Sequence, residues 1–286
     1  MILPDFILPS WVNQHCNYCG MDDLYDINWA LDQDQFARYK FSVDYKYNSR
    51  GFRDSEWPVD LKKSIWCIGD SFTVGIGSPL SHTWPNILQS QLKHRTINVS
   101  MDGGSNPWMT RKALRIIQEI APETIIIHWS FLHRRENDYY VVLDKNWKDF
   151  YNNIKDTSWP TCPDIDYIDT LPKFILDELE NHDQSWRTSV SDQDLKIHYT
   201  RSTDESDIAL TIDCINKIEE HKGNCNVIYS VIPNFCANEY KAEFFNKLPA
   251  NIKFIPEFEQ LDFARDAYHY DIKTAANFVD QITKLL

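Results

Sequence analysis

The chain has 286 residues, 43% of them apolar, 14% aromatic and 25% charged, with a formal net charge of −13. Such a composition fits a globular domain with ample core material and excludes a disordered chain. The acidic balance lacks the cationic footprint of a nucleic-acid binder, and no run approaches the roughly 20 apolar residues that a membrane helix needs.

Residues 1–60 are acidic, aromatic and without clear periodicity, and they end in the turn-rich NSRGFRDSEWP, Asn48–Pro58. They are expected to form an N-terminal extension packed on a main domain of residues 61–286. The opening MILPDFILPSW has no basic segment, and Pro4, Asp5 and Pro9 interrupt its apolar run, so no signal peptide is expected. Seven cysteines, at 16, 19, 67, 162, 214, 225 and 236, are an odd and scattered set. They do not form the framework of a disulfide-stapled secreted domain. The expectation is a soluble protein of a reducing compartment, cytoplasmic or otherwise intracellular. Cys16-x-x-Cys19, with His15 beside it, raises zinc or redox chemistry. Zinc needs four ligands and no second cysteine pair exists. A redox pair needs a thioredoxin-like βαβ context, and this one precedes the domain. No metal site is expected.

From position 64 onward, strand and helix patterns alternate. Strands are predicted at Ser64–Ile68, Thr96–Val99, Thr124–Trp129, Asn226–Ile232 and Asn251–Ile255. These runs are short, β-branched and mostly continuous, as in strands covered on both faces. Helices are predicted at Trp84–Leu92, Trp108–Ile120, Ile208–His221 and Asp271–Leu286, the last with Asp271 as N-cap. Alternating strands and helices make the fold class α/β, with a parallel sheet, helices on both faces and right-handed crossovers. The alternation breaks at about 137–205, which is rich in Trp, Tyr, Asp and Asn and carries Pro160, Pro163 and Pro172. That stretch reads as an insertion, with helices around Trp147–Ile154 and Leu171–Glu180. It is expected to form a lid or wall over the carboxyl ends of the strands, where open α/β sheets bind ligands.

The first strand runs into Cys67–Ser78, CIGDSFTVGIGS. A phosphate loop would end in Gly-Lys-Ser/Thr, and no Lys is present. A dinucleotide fingerprint needs a third glycine, and Gly75-Ile76-Gly77-Ser78-Pro79-Leu80 lacks it. A nucleophile on a strand-to-helix turn remains. It is not the Gly-x-Ser-x-Gly elbow, because position 73 is Thr. Serine needs a base, and the base needs an orienting acid. Asp266-Ala-Tyr-His269 supplies both after the fifth strand, and a parallel sheet brings that loop to the same edge as Ser71.

Gly69-Asp70-Ser71 and Asp266-x-x-His269 resemble the first and last blocks of the SGNH hydrolase superfamily, the GDSL-type esterases. Asn98–Ser105 (NVSMDGGS) resembles the second block, and Asn48–Arg53 (NSRGFR) resembles a stretch upstream of the first. The resemblance covers about 64–135 and 225–286. It implies a three-layer α/β/α sandwich with a central five-stranded parallel sheet, flavodoxin-like. It also implies a serine esterase without cofactor. Ser71 would be nucleophile, His269 base and Asp266 orienter, with the backbone N–H groups of Ser71 and Gly103 as oxyanion hole. The third block departs from the family pattern: Trp129–Glu136 reads WSFLHRRE, with no Asn to donate to the oxyanion. Candidates to stand in are Ser130, His133, Arg134 and Asn106. Asp70 is expected to bond backbone within its turn, and Trp84 and Trp108 to pack. His133 and Glu136 alone do not make a metal pair.

The expected substrate is a small-molecule or carbohydrate ester, such as an O-acetyl group, with no nucleic-acid or membrane partner. Two other readings use the same residues. One is a non-catalytic binding protein on this fold, and the other is an acyltransferase.

Overall fold

The structure is a computed structural model, and it describes Leu8, residues 11–17, Cys19, Asp22 and residues 43–136, 142–143 and 204–286. Two strand residues, β1 (His15–Cys16), pair antiparallel with β2 (Tyr45–Lys46). The main sheet follows, with its helices between the strands. In chain order come β3 (Ile65–Gly69), α1 (Ser71–Val74), α2 (Trp84–Leu92), β4 (Thr96–Ser100), α3 (Asn106–Glu119) and β5 (Thr124–Trp129). A short ribbon of β6 (Arg135–Glu136) and β7 (Val142–Leu143) precedes α4 (Asp204–His221), β8 (Asn226–Val231), α5 (Asn238–Asn246), β9 (Lys253–Ile255) and α6 (Ile272–Thr283).

The five long-range strands lie in the order β4-β3-β5-β8-β9, every neighbour parallel. The α/β class and the five-stranded parallel sheet read from the sequence are therefore present. The physical reason is visible in β3 and β4, where all five residues of each are buried. Only a sheet covered on both sides hides both faces of a strand. His128 of β5 packs on Phe278 of α6 and Trp84 of α2. Tyr229 of β8 reaches Glu219 of α4 on the opposite face, at 2.8 Å. Helices thus flank both faces.

Element ends differ from expectation where caps decide them. Helix α3 starts at Asn106, not Trp108, because Ser105 caps it: the Trp108 N–H donates to Ser105 Oγ at 3.2 Å. Pro107 is tolerated in that first turn, where its missing N–H has no partner to lose. Helix α4 reaches back to Asp204, its first turn enriched in Asp204, Glu205 and Asp207, which suit the positive end of the helix dipole. Asp271 stands at the N-cap position of α6, but its side chain makes no capping bond. Asp262 caps instead, accepting from the N–H groups of Asp271, Lys273 and Thr274 at 3.2, 2.9 and 3.1 Å. Helix α1 follows β3 as the strand-to-helix turn requires, whereas α5 is not expected from periodicity. The helices expected at Trp147–Ile154 and Leu171–Glu180 lie outside the described residues, as does nearly all of the 137–205 insertion. None of the described helices is long and apolar enough to cross a membrane.

Candidate active site

β3 delivers the chain straight into α1. Asp70, in extended conformation, caps that single turn: its Oδ1 accepts the Phe72 N–H at 3.0 Å. Ser71 is therefore fixed as the first helical residue at the carboxyl edge of the sheet. The loop between β9 and α6 arrives from the other side. It meets the Gly75–Ser78 turn at Gly77, whose φ is +76°. A Cβ at Gly77 would stand 2.9 Å from the Ala264 Cβ and 3.0 Å from the Arg265 nitrogen. Only glycine fits that conformation and that approach. The contact is sealed by the Arg265 N–H donating to the Gly77 carbonyl at 2.9 Å.

The junction brings three sequence-predicted residues together. Ser71 Oγ lies 2.7 Å from His269 Nε2. His269 Nδ1 is hydrogen-bonded to Asp266 Oδ2. The other oxygen of Asp266 accepts the backbone N–H groups of Tyr268 and His269 at 3.1 and 3.0 Å, which fixes the carboxylate. All three residues are buried, with 2–3% of their surface exposed. Phe72 closes over the imidazole, ring centroids 4.5 Å apart. Burial pulls the His269 pKa down. The charge and hydrogen bond of Asp266, with the charges of Asp102 and Asp70, outweigh it, and the net direction is upward.

Gly103 lies in the loop between β4 and α3, with φ +71°, and a Cβ there would have nothing within 4 Å. Its backbone is open on that side. Among the described residues, neither its N–H nor that of Ser71 has a hydrogen-bond partner. Asp102, its half-buried neighbour, has its carboxyl pushed up by burial, an effect that His269 and Arg134 only partly oppose.

The four residues expected to replace the missing Asn are held elsewhere. Asn106 donates to Thr211 Oγ1 at 3.0 Å and to the Ser130 carbonyl at 3.5 Å, and its oxygen accepts the Ser130 N–H at 2.9 Å. Ser130 Oγ donates to Asp70 Oδ2 at 2.6 Å. Arg134 Nη1 donates to the same Asp70 oxygen at 3.0 Å and to Ser130 Oγ at 2.9 Å. His133 stacks on Phe131, centroids 5.5 Å apart. Among the described residues, none of the four hydrogen-bonds to Ser71. Asp70 does bond its own turn, as expected, and also anchors this Ser130–Arg134 brace.

Sequence reasoning missed two supports. Arg53 is 1% exposed and donates to the carbonyls of Val74, Gly75 and Ser78 at 3.1, 2.5 and 2.7 Å, holding the far end of α1. Nothing in the spacing of Asn48–Arg53 points to this bracing role. Asp22 and Arg265 form a fully buried ion pair behind the acid loop. No local pattern links positions so far apart. Among the described residues no cluster of three potential metal ligands occurs. Cys16 and Cys19 carry free thiols, and burial pushes that of Cys19 well up.

A cavity of about 350 Å³ opens at the ends of β5 and β8, lined by Phe131, His133, Asp204, Asp207, Asn234 and Phe235 among others. Phe131 packs edge-on against Phe72 at 6.4 Å, so the cavity wall is two ring contacts from His269.

No family model and no curated protein sequence matches the chain. Similar solved structures are GDSL-type esterases and related hydrolases. TesA is 12% identical with a TM-score of 0.44, covering 78% of this chain and 97% of that one. A family two carbohydrate esterase from Clostridium thermocellum is 11% identical with a TM-score of 0.44, covering 80% and 65%. The acetyl xylan esterase Est2A from Butyrivibrio proteoclasticus is 13% identical with a TM-score of 0.41, covering 80% and 64%. The chain thus spans slightly under two thirds of the last two. Likeness this slight says nothing about activity.

Proposed function

We propose that this protein is a serine-type ester hydrolase in which Ser71 is the nucleophile, His269 the base and Asp266 the orienting acid. The observation that carries the reading is the continuous line Ser71 Oγ, His269 Nε2, His269 Nδ1, Asp266 Oδ2, with every member buried and the carboxylate locked by two backbone donors. A serine is a poor nucleophile until a base takes its proton. Here Nε2 takes that proton as Oγ bonds to the ester carbonyl carbon. Asp266 keeps the proton on Nδ1 and stabilises the imidazolium. The oxyanion is received by the N–H groups of Ser71 and Gly103. Such a donor is typically worth roughly 3–4 kcal/mol in the transition state. When the carbon–oxygen bond to the alcohol breaks, Nε2 returns the proton to the leaving oxygen. Water then attacks the acyl-enzyme, giving its proton to Nε2, and the acid leaves as Oγ is reprotonated.

The substrate reading is a short acyl ester, such as an O-acetyl group on a carbohydrate. It is supported by the cavity beside Phe131, whose half-buried ring suits a sugar face and whose Asp204 and Asn234 suit hydroxyls.

The test is labelling with a fluorophosphonate probe, with mass spectrometry to locate the adduct and acetylated sugars and aryl esters as substrates. The expected result is modification of Ser71 alone, absent in Ser71→Ala and His269→Ala. Failure of the folded protein to label and to hydrolyse any ester of the panel would refute the reading and favour a binding protein. Product formed on added alcohols or sugars faster than on water would make it an acyltransferase.

A further inference from the structure

The buried ion pair between Asp22 and Arg265 is out of place by ordinary reckoning. Both residues have no exposed surface, and burying two charges costs several kcal/mol per ion before their attraction is counted. A purely structural role would be served as well by apolar side chains of similar volume. The pair connects two distant parts of the chain. Arg265 Nε donates to Asp22 Oδ1 at 2.7 Å, and Nη2 donates to Oδ2 and, at 2.6 Å, to the carbonyl of Asn17. Such a two-pronged contact fixes the plane of the guanidinium as well as its position.

The same carboxylate reaches the nucleophile loop. Tyr45 Oη donates to Asp22 Oδ2 at 2.8 Å, and the Gly77 N–H donates to Tyr45 Oη at 2.6 Å. Gly77 in turn accepts the Arg265 N–H through its carbonyl at 2.9 Å. The result is a closed ring: Gly77, Tyr45, Asp22, Arg265 and back to Gly77. Tyr45 is held by the β1–β2 pairing and by Arg53, whose guanidinium lies 4.1 Å over its ring. Val43, Tyr45, Tyr47 and Cys19 share a small core with Val74 and Ile76 of the nucleophile loop. Arg265 directly precedes Asp266 in the chain.

We propose that Asp22, Tyr45 and Arg265 form a clamp through which the N-terminal segment sets the register between the Ser71 loop and the Asp266–His269 loop. These are positioning residues, since none touches Ser71 or His269. The proposal rests on the hydrolase reading of the triad for its kinetic consequence, not for its geometry. A hydrogen bond between residues on two separate loops is only as well aligned as the loops. Displacement of a reacting group by about 1 Å can cost about 10²-fold in rate.

The experiment uses the full chain and removes both charges of the pair together. Asp22→Asn with Arg265→Met keeps an acceptor for Tyr45 and leaves no unpaired ion. The expected result is a Tm near that of the wild type, kcat lower by about 10- to 100-fold, and KM changed less than about twofold. The far-downfield proton resonance of the His269 imidazole should broaden or move upfield, which reports on its bond to Asp266 without any turnover. A folded double variant with unchanged kcat and an unchanged resonance overturns the clamp. Should the double variant fail to fold, Tyr45→Phe decides in the same way, because it removes only the hydroxyl that bridges Gly77 and Asp22. A wild type that hydrolyses nothing would refute the hydrolase reading. The clamp would then stand or fall on the resonance alone.

Discussion

His269 and His128 are both buried against aromatic rings, and their imidazoles are tuned in opposite directions. Phe72 lies 4.5 Å from the first and Phe278 4.7 Å from the second, centroid to centroid. Each also has a serine hydroxyl on one nitrogen: Ser71 on His269 Nε2 at 2.7 Å, Ser230 on His128 Nδ1 at 2.8 Å. The difference lies on the other nitrogen. His269 presents it to Asp266, whereas Nε2 of His128 has no partner among the described residues. Burial alone then drives the His128 pKa down to about 3. The carboxylate reverses the same effect at His269. Burial and a neighbouring hydroxyl do not raise an imidazole's pKa, and the neighbouring carboxylate does.

The comparison is broken most severely at the serine. Ser71→Ala and His269→Ala should each lower kcat by about 10⁴- to 10⁶-fold and abolish phosphonate labelling. His128→Leu should leave the labelled peptide and its rate as they are. If it does not, the distinction between the two histidines is wrong. Asp266→Asn comes next, because it makes His269 resemble His128. A loss of about 10⁴-fold in kcat is expected, since the imidazole loses its orienter. The base must be neutral to act, so activity falls as pH drops through its pKa. In the wild type, where that pKa is raised, the rising limb of kcat/KM should lie above the ordinary histidine value of about 6.5. In Asp266→Asn it should move to lower pH, a shift that a pH–rate profile reads directly.

His128 contributes to stability rather than rate, and its sign is opposite to that of His269. A raised folded pKa stabilises at low pH, and that contribution is lost as pH rises through it. A lowered one does the reverse. Below about pH 6.5 the unfolded chain binds a proton that folded His128 refuses, so stability falls by about 1.4 kcal/mol per pH unit. With a folded value of about 3, the total approaches about 4–5 kcal/mol at pH 3. His128→Leu should flatten the acid branch of a stability curve, by about 3 kcal/mol between pH 7 and pH 4. Urea titrations of both proteins between pH 7 and pH 4 are sufficient, and parallel curves would contradict the assignment.

Much of this was legible in the residues. The strands read from continuous β-branched runs fall within a residue or two of the observed ones, because burial on both faces leaves an unambiguous pattern. That Ser71, Asp266 and His269 meet was legible too, because loops after parallel strands share one sheet edge, and the structure joins the three by hydrogen bonds. Partnering that depends on distant contacts was not legible. Asn106, Ser130 and Arg134 looked available from the sequence, yet each is committed, Asn106 to Thr211 and the other two to Asp70. The Asp22–Arg265 pair spans the chain from one end to the other, and no spacing rule connects such positions. Helix α5 escaped notice because its apolar residues, of which only Phe244 is buried, form no sustained stripe.

The smallest expected effect concerns the second serine of the edge, Ser130, which resembles Ser71 in placement and differs in partner. Its hydroxyl donates its hydrogen bond to a carboxylate, not to an imidazole, and that carboxylate is also held by Arg134 and by the Phe72 N–H. Removing it leaves Asp70 with two donors. Ser130→Ala should therefore cost about 1.5–3 kcal/mol of stability, the worth of one bond to a charged group. Its kcat should change far less than the roughly 10²- to 10³-fold expected when an oxyanion donor is lost. Thermal unfolding and initial rates measured on the same preparation separate the two roles. A rate loss of that size at unchanged Tm would turn the hydroxyl toward the substrate and make Ser130 the missing third donor. A fall in Tm at nearly unchanged rate keeps it where its hydrogen bonds put it, as a brace beneath the nucleophile turn.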